Sequence, residues 1–418
     1  MSSPVWHPFT QHGLAEPIPL VERSEGACLY TSDGRRIVDA ISSWWVTTHG
    51  HRHPTIMRAI AEQAATLDQI IFAGWTHEPA ERLARGLVDL MPEGLRHVFY
   101  SDSGSTSVEV ALKMALGYWR NRDDPRSDII VMEGSYHGDT IGGMSVGARG
   151  VFNQAYSPLL FDVHTIPFPS EGVEQHSINW LERLCRTRKP AALILEPLIL
   201  GAGGMRIYSA QTLAELRRVC AAHHVLFIAD EVMTGWGRTG TLLACEQAGI
   251  TPDILCLSKG LTGGAMPLAA TLATDAIYDA HLSRDRARMF FHSSSYTANP
   301  IACAAALGNL EVWRNEPVRE RIASLAARQD DRLKRIGRGM NARRLGTITA
   351  CEIGDSQSDY LSQQAPALLA HFRDRDLLVR PLGNTIYVMP PYCIESDDLD
   401  RIYDAIGAAF DLFGEPRG

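Results

Sequence analysis

The feature that most constrains this chain is a regular alternation of short apolar runs with longer segments of helical periodicity. The short runs are typical of strands that are buried on both faces of a sheet. The segments between them, such as 107–119 and 210–223, repeat apolar residues at helical spacing. This alternation predicts an α/β fold with a mostly parallel sheet and helices on both sides. The predicted strands are 98–100, 129–132, 192–195, 225–229 and 254–257.

The residue composition and the hydrophobic pattern change near both ends of the 418-residue chain. The first 50 residues are irregular, rich in Pro and aromatic residues, with one hairpin signal at Ser32-Asp33-Gly34. Beyond about residue 310 the charge density rises, and a helical stretch precedes two strand-like runs, 377–379 and 386–388, and a final helix. We predict an N-terminal segment that joins the small domain and the active site, a large domain, and a smaller α+β C-terminal domain. Their ranges are 1–50, 51–310 and 311–418.

Composition excludes several classes of partner. Lys and Arg number 40 against 48 Asp and Glu, so the net charge of −8 gives no basic surface for nucleic acid or anionic membranes. No apolar stretch reaches the roughly 18 residues of a membrane span, and residues 1–10 lack a secretory pattern. Eight cysteines occur singly, which is typical of reduced, mostly buried thiols. We expect a cytoplasmic protein without nucleic-acid or membrane partners.

Two motifs admit other enzyme classes, but their context disfavours both. Residues 143–147 read Gly-Met-Ser-Val-Gly, the pattern of a hydrolase nucleophile elbow around Ser145, yet no buried strand precedes the serine. Residues 235–240 read Gly-Trp-Gly-Arg-Thr-Gly, the pattern of a dinucleotide site. Here Asp230 and Glu231 end the strand before the glycines, and no acidic residue ends a following strand. The alternative for these glycines is a turn in which backbones pack closely.

Three alternating histidines suggest a metal site. His49, His51 and His53 would share one face of an extended segment, but Gly50 and Pro54 imply a bend. No cysteine or acidic cluster adjoins them, so we predict a polar loop and no metal.

A stronger combination lies at the ends of four predicted strands. Lys259 directly follows a buried apolar run, where desolvation lowers the pKa of an amine and suits it to Schiff-base chemistry. Asp230 ends another run, and a carboxylate at that depth requires a cation such as a protonated pyridine nitrogen. Small residues over 101–106 open a helix and present N–H groups to a phosphate. Tyr136 follows a further strand and supplies a flat ring. Ligands of such sheets bind at the carboxyl ends of the strands, which predicts one shared site.

These residues resemble the class III aminotransferases, which use pyridoxal 5'-phosphate. Segments 228–232, 235–240 and 257–260 are similar to that family's signature, and the resemblance runs from residue 6 to about 403. It implies the fold-type I architecture, a large cofactor-binding domain with a mostly parallel sheet and a smaller α+β domain. It also implies that Lys259 is the Schiff-base lysine and proton shuttle and that Asp230 binds the pyridine nitrogen.

The same resemblance implies the remaining cofactor contacts. Gly104 and Ser105 would hold the phosphate, and Tyr136 would stack on the cofactor ring and border the substrate. In this family the segment before Asn299-Pro300 completes the phosphate site across a homodimer interface. Ser294 and Ser295 match its phosphate-contacting positions, with Ser295 where Thr is common.

Five segments narrow the resemblance to one branch of the family. Residues 6–10, 42–45, 102–105, 136–140 and 389–392 are similar to the branch that aminates 8-amino-7-oxononanoate to 7,8-diaminononanoate in biotin biosynthesis. Its usual amino donor is S-adenosylmethionine, and some relatives use lysine, so the donor stays open. The resemblance implies substrate contacts at Phe9, Trp44, Trp45, Tyr136, Ser293 and Arg380, with Arg380 on the substrate carboxylate.

Three points stay open at the level of sequence. Phe9 stands where members of this branch commonly carry Tyr, which affects substrate recognition. Glu196 ends a predicted strand near the expected cofactor without an assigned role. Another class III ω-aminotransferase would share every cofactor residue, and a non-catalytic pyridoxal phosphate-binding module is a further alternative.

Overall fold

The computed structural model describes residues 3–336, 340–354 and 364–413. The strands in these ranges are β1 (Val21–Glu25), β2 (Cys28–Thr31), β3 (Arg36–Asp39), β4 (Leu95–Ser101), β5 (Ile129–Met132), β6 (His164–Ile166), β7 (Ala192–Leu195), β8 (Ile199–Leu200), β9 (Arg206–Ile207), β10 (Leu226–Asp230), β11 (Ile254–Leu257), β12 (Ala269–Thr274), β13 (Met340–Leu345), β14 (Ile348–Glu352), β15 (Leu377–Leu378) and β16 (Thr385–Val388). The helices are α1 (Ser42–Trp45), α2 (Pro54–Ala64), α3 (Glu78–Leu90), α4 (Gly104–Asn121), α5 (Ile141–Val146), α6 (Glu174–Arg188), α7 (Ala210–Ala222), α8 (Asp275–His281), α9 (Pro300–Asn315), α10 (Val318–Ile336), α11 (Ala365–Arg373) and α12 (Ser396–Phe413).

A seven-stranded sheet forms the centre of the molecule, in the order β4-β12-β11-β10-β7-β5-β6. Strands β11, β10, β7, β5 and β6 pair in parallel, and β12 runs antiparallel to both β11 and β4. The sheet is therefore mostly parallel, as the alternation predicts. Successive strand residues enter different apolar cores: Leu193 and Phe227 pack on one face, Ile194 and Ile228 on the other.

One strand prediction is wrong in its burial. The run 98–100 lies in β4, but Val98 and Phe99 are only half-buried. The reason is position, because β4 is an edge strand and lacks a neighbour beyond it. The helical predictions agree with α4, α7 and α10, and the runs 377–379 and 386–388 fall on β15 and β16.

The N-terminal segment is more regular than the sequence suggests. Strands β1, β2 and β3 form an antiparallel sheet whose last strand pairs in parallel with β15 from the C-terminal part. The predicted hairpin is confirmed between β2 and β3, where the Gly34 N–H donates to the Thr31 carbonyl at 3.0 Å. The two ends of the chain thus share one sheet, while the boundaries at residues 50 and 310 stay a prediction.

Cysteine and membrane predictions can be compared with the described ranges. All eight cysteines are free; seven are buried and Cys393 is exposed. Among the described residues, no helix combines the length and apolar character needed to cross a bilayer.

Candidate active site

The carboxyl ends of the central strands bring the predicted residues to one cavity of about 420 Å³. Asp230 ends β10, and Lys259 follows β11 after a single residue. Tyr136 lies in the turn after β5, and Gly104 and Ser105 open α4. All five line the cavity, because parallel neighbours end at the same edge of the sheet.

Asp230 is buried and has a partner that the sequence did not indicate. Its Oδ2 lies 2.7 Å from His137 Nδ1, and its Oδ1 accepts the Val232 N–H at 3.1 Å. His137 is buried too, and within the described residues its Nε2 has no hydrogen-bond partner. The histidine therefore fixes the orientation of the carboxylate while its other nitrogen remains available.

Lys259 extends from a strained backbone into the same space. Its φ of 47° is uncommon for a residue with a side chain. Its Nζ lies 4.7 Å from the centre of the Trp45 ring, and no hydrogen bond or salt bridge from the described part of the chain reaches it. Burial lowers the pKa of the amine to about 8, with Asp230 and Glu196 opposing that shift. An amine in this state exists partly as the neutral nucleophile near pH 7.

Glu196, whose role the sequence left open, lies deep in the cavity wall. Its two carboxylate oxygens accept the Tyr136 N–H at 3.0 Å and the Gly201 N–H at 2.9 Å. Burial raises the pKa of Glu196 to about 7, and His137 partly opposes the shift. Glu196 thus holds the turn that carries Tyr136.

The N-terminus of α4 forms a second polar wall. Ser103 caps the helix, its hydroxyl accepting the Thr106 N–H at 3.2 Å in a reciprocal capping box. The first N–H groups of a helix have no partner within it, and Gly104 and Ser105 occupy those positions. Gly138 has φ of 106°, and a Cβ there would collide with the Ser105 side chain. The close approach of these two segments leaves N–H groups facing the cavity, a favourable place for an anion.

The outer end of the cavity is aromatic and carries one cation. The Phe9 ring lies 5.4 Å from that of Trp44 and 6.0 Å from that of Phe152. The Arg380 guanidinium lies 5.6 Å from the Trp44 ring and donates to the Phe9 carbonyl at 3.3 Å. Arg380 forms no salt bridge with a described carboxylate, so its charge is available to a ligand.

Trp45 lines the cavity as well but is itself buried. Its indole N–H donates to the Tyr387 hydroxyl at 2.9 Å. Trp44 and Trp45, although adjacent, therefore differ: Trp44 presents an exposed ring and Trp45 packs into the wall.

Ser293, Ser294 and Ser295 do not line this cavity. They lie on a surface segment, where Ser293 and Ser295 are exposed and Ser294 is half-buried. Their bonds are local or reach a neighbouring loop; the Ser295 carbonyl, for example, accepts from Gln69 Nε2 at 2.7 Å. Within one chain, these predicted contacts are separate from the other site residues.

The hydrolase motif has the wrong geometry. Ser145 lies inside α5, fully buried, and its hydroxyl donates to the Ile141 carbonyl at 2.6 Å. A nucleophile elbow requires a serine on a sharp strand-to-helix turn that faces a pocket. Ser145 is therefore a buried residue of α5 and not a nucleophile that faces a pocket.

The glycine motif at 235–240 forms a turn rather than the start of a helix. Gly237 has φ of 96°, and a Cβ there would collide with the Ile322 side chain. Gly237 therefore allows close packing against α10, which agrees with the alternative that the sequence favours.

The three alternating histidines each bond to a different partner, although the rings of His49 and His53 lie 5.9 Å apart. His49 pairs with Asn309 at 2.8 Å, His51 with Asp39 at 2.8 Å, and His53 with Glu316 at 3.1 Å. No metal-binding cluster occurs among the residues that the structure describes.

His137 and Phe152 are among the cavity residues that were not predicted from the sequence. His137 stands next to Tyr136 in the same strand-end turn, and that adjacency was a usable signal for a partner of Asp230. Phe152 comes from the irregular segment between α5 and β6, where no sequence pattern points to the cavity.

Comparison with known proteins identifies the family. The family model for aminotransferase class III matches residues 10–410. A relative from Synechococcus elongatus, named adenosylmethionine-8-amino-7-oxononanoate aminotransferase, is 46% identical over 97% of this chain and 98% of its own length. One of the same name from Nitratidesulfovibrio vulgaris is 39% identical over 97% of this chain and 80% of its own length.

Solved structures give the same result for the fold. The adenosylmethionine-8-amino-7-oxononanoate aminotransferase of Methanocaldococcus jannaschii superposes with a TM-score of 0.94 at 33% identity, covering 98% of this chain and 97% of its own. An amine transaminase from an uncultivated Pseudomonas species, solved in its PLP-bound form, gives a TM-score of 0.93 at 32% identity, covering 99% and 100%. From its sequence and its fold alike, the chain belongs to the class III aminotransferases.

Proposed function

We propose that this protein transfers an amino group from S-adenosylmethionine to 8-amino-7-oxononanoate, giving 7,8-diaminononanoate, with pyridoxal 5'-phosphate as its cofactor. The observation that carries the proposal is a single cavity with a buried lysine at its inner end and, at its aromatic outer end, an arginine that forms no salt bridge with a described carboxylate. The relatives that carry the name of this activity, at up to 46% identity, support the choice of substrates.

The inner cavity has the groups that the cofactor requires. Lys259 offers an amine that no described residue engages in a hydrogen bond or salt bridge, and Asp230 offers a buried carboxylate oriented by His137. The start of α4 offers N–H groups to a phosphate, and a Cβ at Gly104 would lie 2.6 Å from Val232, so this approach has no room for a larger residue. The residues present therefore fit pyridoxal phosphate.

When bound, the cofactor supplies an aldehyde and a protonated pyridine that withdraws electrons from a substrate amine. Asp230 would hold the pyridine proton, because a buried carboxylate favours a neighbouring cation. His137 keeps the carboxylate in place at 2.7 Å. Tyr136, whose backbone N–H is fixed by Glu196, would pack on the ring.

Lys259 would carry the proton of the reaction. Its pKa of about 8 lies near physiological pH, which suits an amine that must both accept and donate. Nζ is buried beside the Trp45 ring, and burial restricts its contact with solvent.

The outer end would select the substrate. Arg380 would bind the substrate carboxylate, since its planar fork suits bidentate pairing. Phe9, Trp44 and Phe152 would enclose the apolar chain of 8-amino-7-oxononanoate between the two polar ends. Phe9 adds no hydroxyl to this wall, so recognition there rests on shape and apolar contact.

The active protein is proposed to be a homodimer with the active site at the interface. Ser294 and Ser295 lie outside the cavity of their own chain, as expected if they complete the phosphate site of the other copy. Large apolar side chains are exposed on the same segment and on the loop before α3; these are Phe291, Tyr296, Ile71 and Trp75. Such a concentration of exposed apolar groups is typical of a protein interface.

The proposal is tested by visible absorption of the purified protein loaded with pyridoxal phosphate. S-adenosylmethionine and lysine are added in separate cuvettes, followed by 8-amino-7-oxononanoate. We expect S-adenosylmethionine to remove the visible band and the oxononanoate to restore it. Sedimentation of the same sample measures the assembly.

The other outcomes are informative. A band that responds to lysine alone would show that lysine is the amino donor, while 8-amino-7-oxononanoate would remain the acceptor. A band that responds to neither donor but to an ω-amino acid would overturn the proposed substrates in favour of another class III activity. A protein that never acquires a band would contradict the cofactor, and with it the role of Lys259.

A further inference from the structure

Asp39 is a buried carboxylate that takes no part in the chemistry described above. It ends β3 and is fully buried, with no exposed surface. Its Oδ1 accepts the N–H groups of Ile41 at 3.3 Å and Ser43 at 2.8 Å. Its Oδ2 accepts from the Ser43 hydroxyl at 3.1 Å and lies 2.8 Å from His51 Nε2. A carboxylate this buried is retained only with such a complete set of partners.

The segment that Asp39 holds is strained. Ser42, Ser43 and Trp45 all have positive φ, at 53°, 60° and 66°. Ser43 combines its φ with ψ of −87°, a turn geometry that residues other than glycine rarely adopt. Three such residues within four positions persist only where surrounding contacts hold them.

Successive residues of segment 42–45 are held by bonds to different parts of the structure. The Ser42 hydroxyl donates to the Met389 carbonyl at 2.8 Å, and the Trp45 indole donates to Tyr387. Between these two fixed points, the N–H and hydroxyl of Ser43 both bond to Asp39. The direction of the next residue, Trp44, therefore depends on Asp39.

Trp44 forms no hydrogen bond through its side chain with the described part of the chain and is 44% exposed in the outer wall of the cavity. Its ring contacts Phe9 at 5.4 Å and lies 5.6 Å from the Arg380 guanidinium. A change in the Ser43 backbone would move this ring away from both neighbours. Arg380, the proposed carboxylate site, would then no longer be packed against the aromatic wall.

We infer that Asp39 is a positioning residue for substrate recognition, acting through the strained turn at Ser43 to hold Trp44 against Phe9 and Arg380. His51 supports it by holding the second carboxylate oxygen. The inference rests on the proposed function, because it concerns recognition of the oxononanoate. It predicts that loss of the carboxylate alters substrate affinity and leaves the inner chemistry intact.

The test compares Asp39→Ala with Asp39→Asn in the cofactor-loaded protein. The Ala variant removes every acceptor, and we expect KM for 8-amino-7-oxononanoate to rise at least about tenfold with kcat nearly unchanged. The Asn variant keeps one oxygen for the Ser43 N–H and an amide that can donate to its hydroxyl. We expect this variant to restore KM to within about threefold of the wild type.

Hydrogen exchange gives a readout that does not depend on turnover. We expect peptides covering residues 41–47 to exchange faster in the Ala variant, because the Ser43 N–H loses its acceptor. Peptides covering residues 257–262, around Lys259, should be unchanged. Asp398→Asn is the matched control, since Asp398 is a buried carboxylate paired with Arg36 at 2.6 Å outside the cavity. It should lower stability without changing KM.

Each outcome decides the inference. Unchanged exchange over 41–47 in the Ala variant, or an equal rise in KM in the Asp398 control, would overturn it. A fall in kcat with KM constant would show that Asp39 acts on the inner site instead, and would overturn it too. A wild-type protein that does not turn over the oxononanoate would refute the proposed function, while the exchange comparison would still decide whether Asp39 anchors the turn. If the Ala variant does not fold, Ser43→Ala replaces it, because this variant removes the hydroxyl that bonds to Asp39 Oδ2; we expect a smaller rise in KM together with faster exchange over 41–47. Wild-type values for both measurements in Ser43→Ala would overturn the inference.

Discussion

The two ends of the cavity are built in different ways. At the inner end, Asp230 and Lys259 extend from adjacent parallel strands, and Glu196 follows the strand on the other side. At the outer end, Phe9 and Arg380 come from loops, and Trp44 comes from α1, in which Ser43 and Trp44 depart from helical dihedral angles. The inner residues are held by a hydrogen-bonded sheet, the outer ones by side-chain contacts and a strained turn.

This difference separates the chemistry from the choice of substrate. Groups that must be placed accurately for proton transfer lie on rigid elements, since small displacements there are costly. Groups that recognise a substrate lie on segments that can vary without disturbing the sheet. Changes at the inner end should therefore affect every substrate alike, and changes at the outer end should discriminate among substrates.

Removal of the lysine should give the largest effect. Lys259→Ala is expected to lower turnover by at least about a thousandfold, because no other described side chain offers an amine in the cavity. Fluorescence titration should show that the variant still binds pyridoxal phosphate. Lys334→Ala, which removes an exposed lysine paired with Asp330, is the control and should behave like the wild type. Normal turnover in the Lys259 variant would remove the inner end from the mechanism.

The second prediction concerns the buried carboxyl of Glu196 and stability. Its pKa of about 7 exceeds the ordinary value of 4.5, so the folded protein binds more protons than the unfolded chain between these pH values. Stability should therefore fall as pH rises from 4.5 to 7, by roughly 3 kcal/mol from this one group. Urea unfolding of cofactor-free protein at pH 5 and pH 8 should show that Glu196→Gln removes most of this fall.

Glu62→Gln provides the comparison for that measurement, because Glu62 is an exposed carboxylate on α2. Its pH dependence should match that of the wild type. An equal slope in wild type and Glu196→Gln would mean that the inner carboxyl is ionised throughout, contrary to its burial.

The third prediction moves to the outer end. Arg380→Ala should raise KM for 8-amino-7-oxononanoate by about tenfold to a hundredfold, the worth of a charged hydrogen bond. We expect a smaller rise for S-adenosylmethionine. Steady-state kinetics with each substrate varied in turn provides the measurement. Equal increases for both substrates would contradict the assignment of the oxononanoate carboxylate to Arg380.

The smallest effect is expected from Phe9→Tyr. The substitution adds one hydroxyl beside Trp44 and Phe152, and should change the preference between amino donors by no more than about tenfold. The melting temperature should not change, because the ring is 45% exposed. Equal changes in KM for the amino donor and for the acceptor would indicate that the hydroxyl alters the whole cavity. That result would contradict the claim that the outer end discriminates among substrates.

The residues of the inner end could be predicted from the hydrophobic pattern of the sequence. Lys259 and Asp230 were found because each follows a short apolar run, and parallel strands bring such positions to one edge. The outer end was found only by resemblance to a family, since Phe9, Trp44 and Arg380 lie far apart in sequence without a common periodicity. Phe152 and Asp39 were not found, because nothing local marks a loop residue that reaches the cavity or a buried carboxylate behind the cavity wall.

The sequence alone determined the alternation of strands and helices, the parallel sheet and the residues at its carboxyl edge, because periodicity and burial act over a few residues. The tertiary structure decided which distant segments meet: His137 on Asp230, β15 beside β3, and Asp39 beneath the turn that carries Trp44. It also decided that β4 is an edge strand and that the serines at 293–295 lie outside the cavity of their own chain. His137 and Asp230 lie 93 positions apart, and β3 and β15 lie near opposite ends of the chain, so no local pattern encodes these contacts.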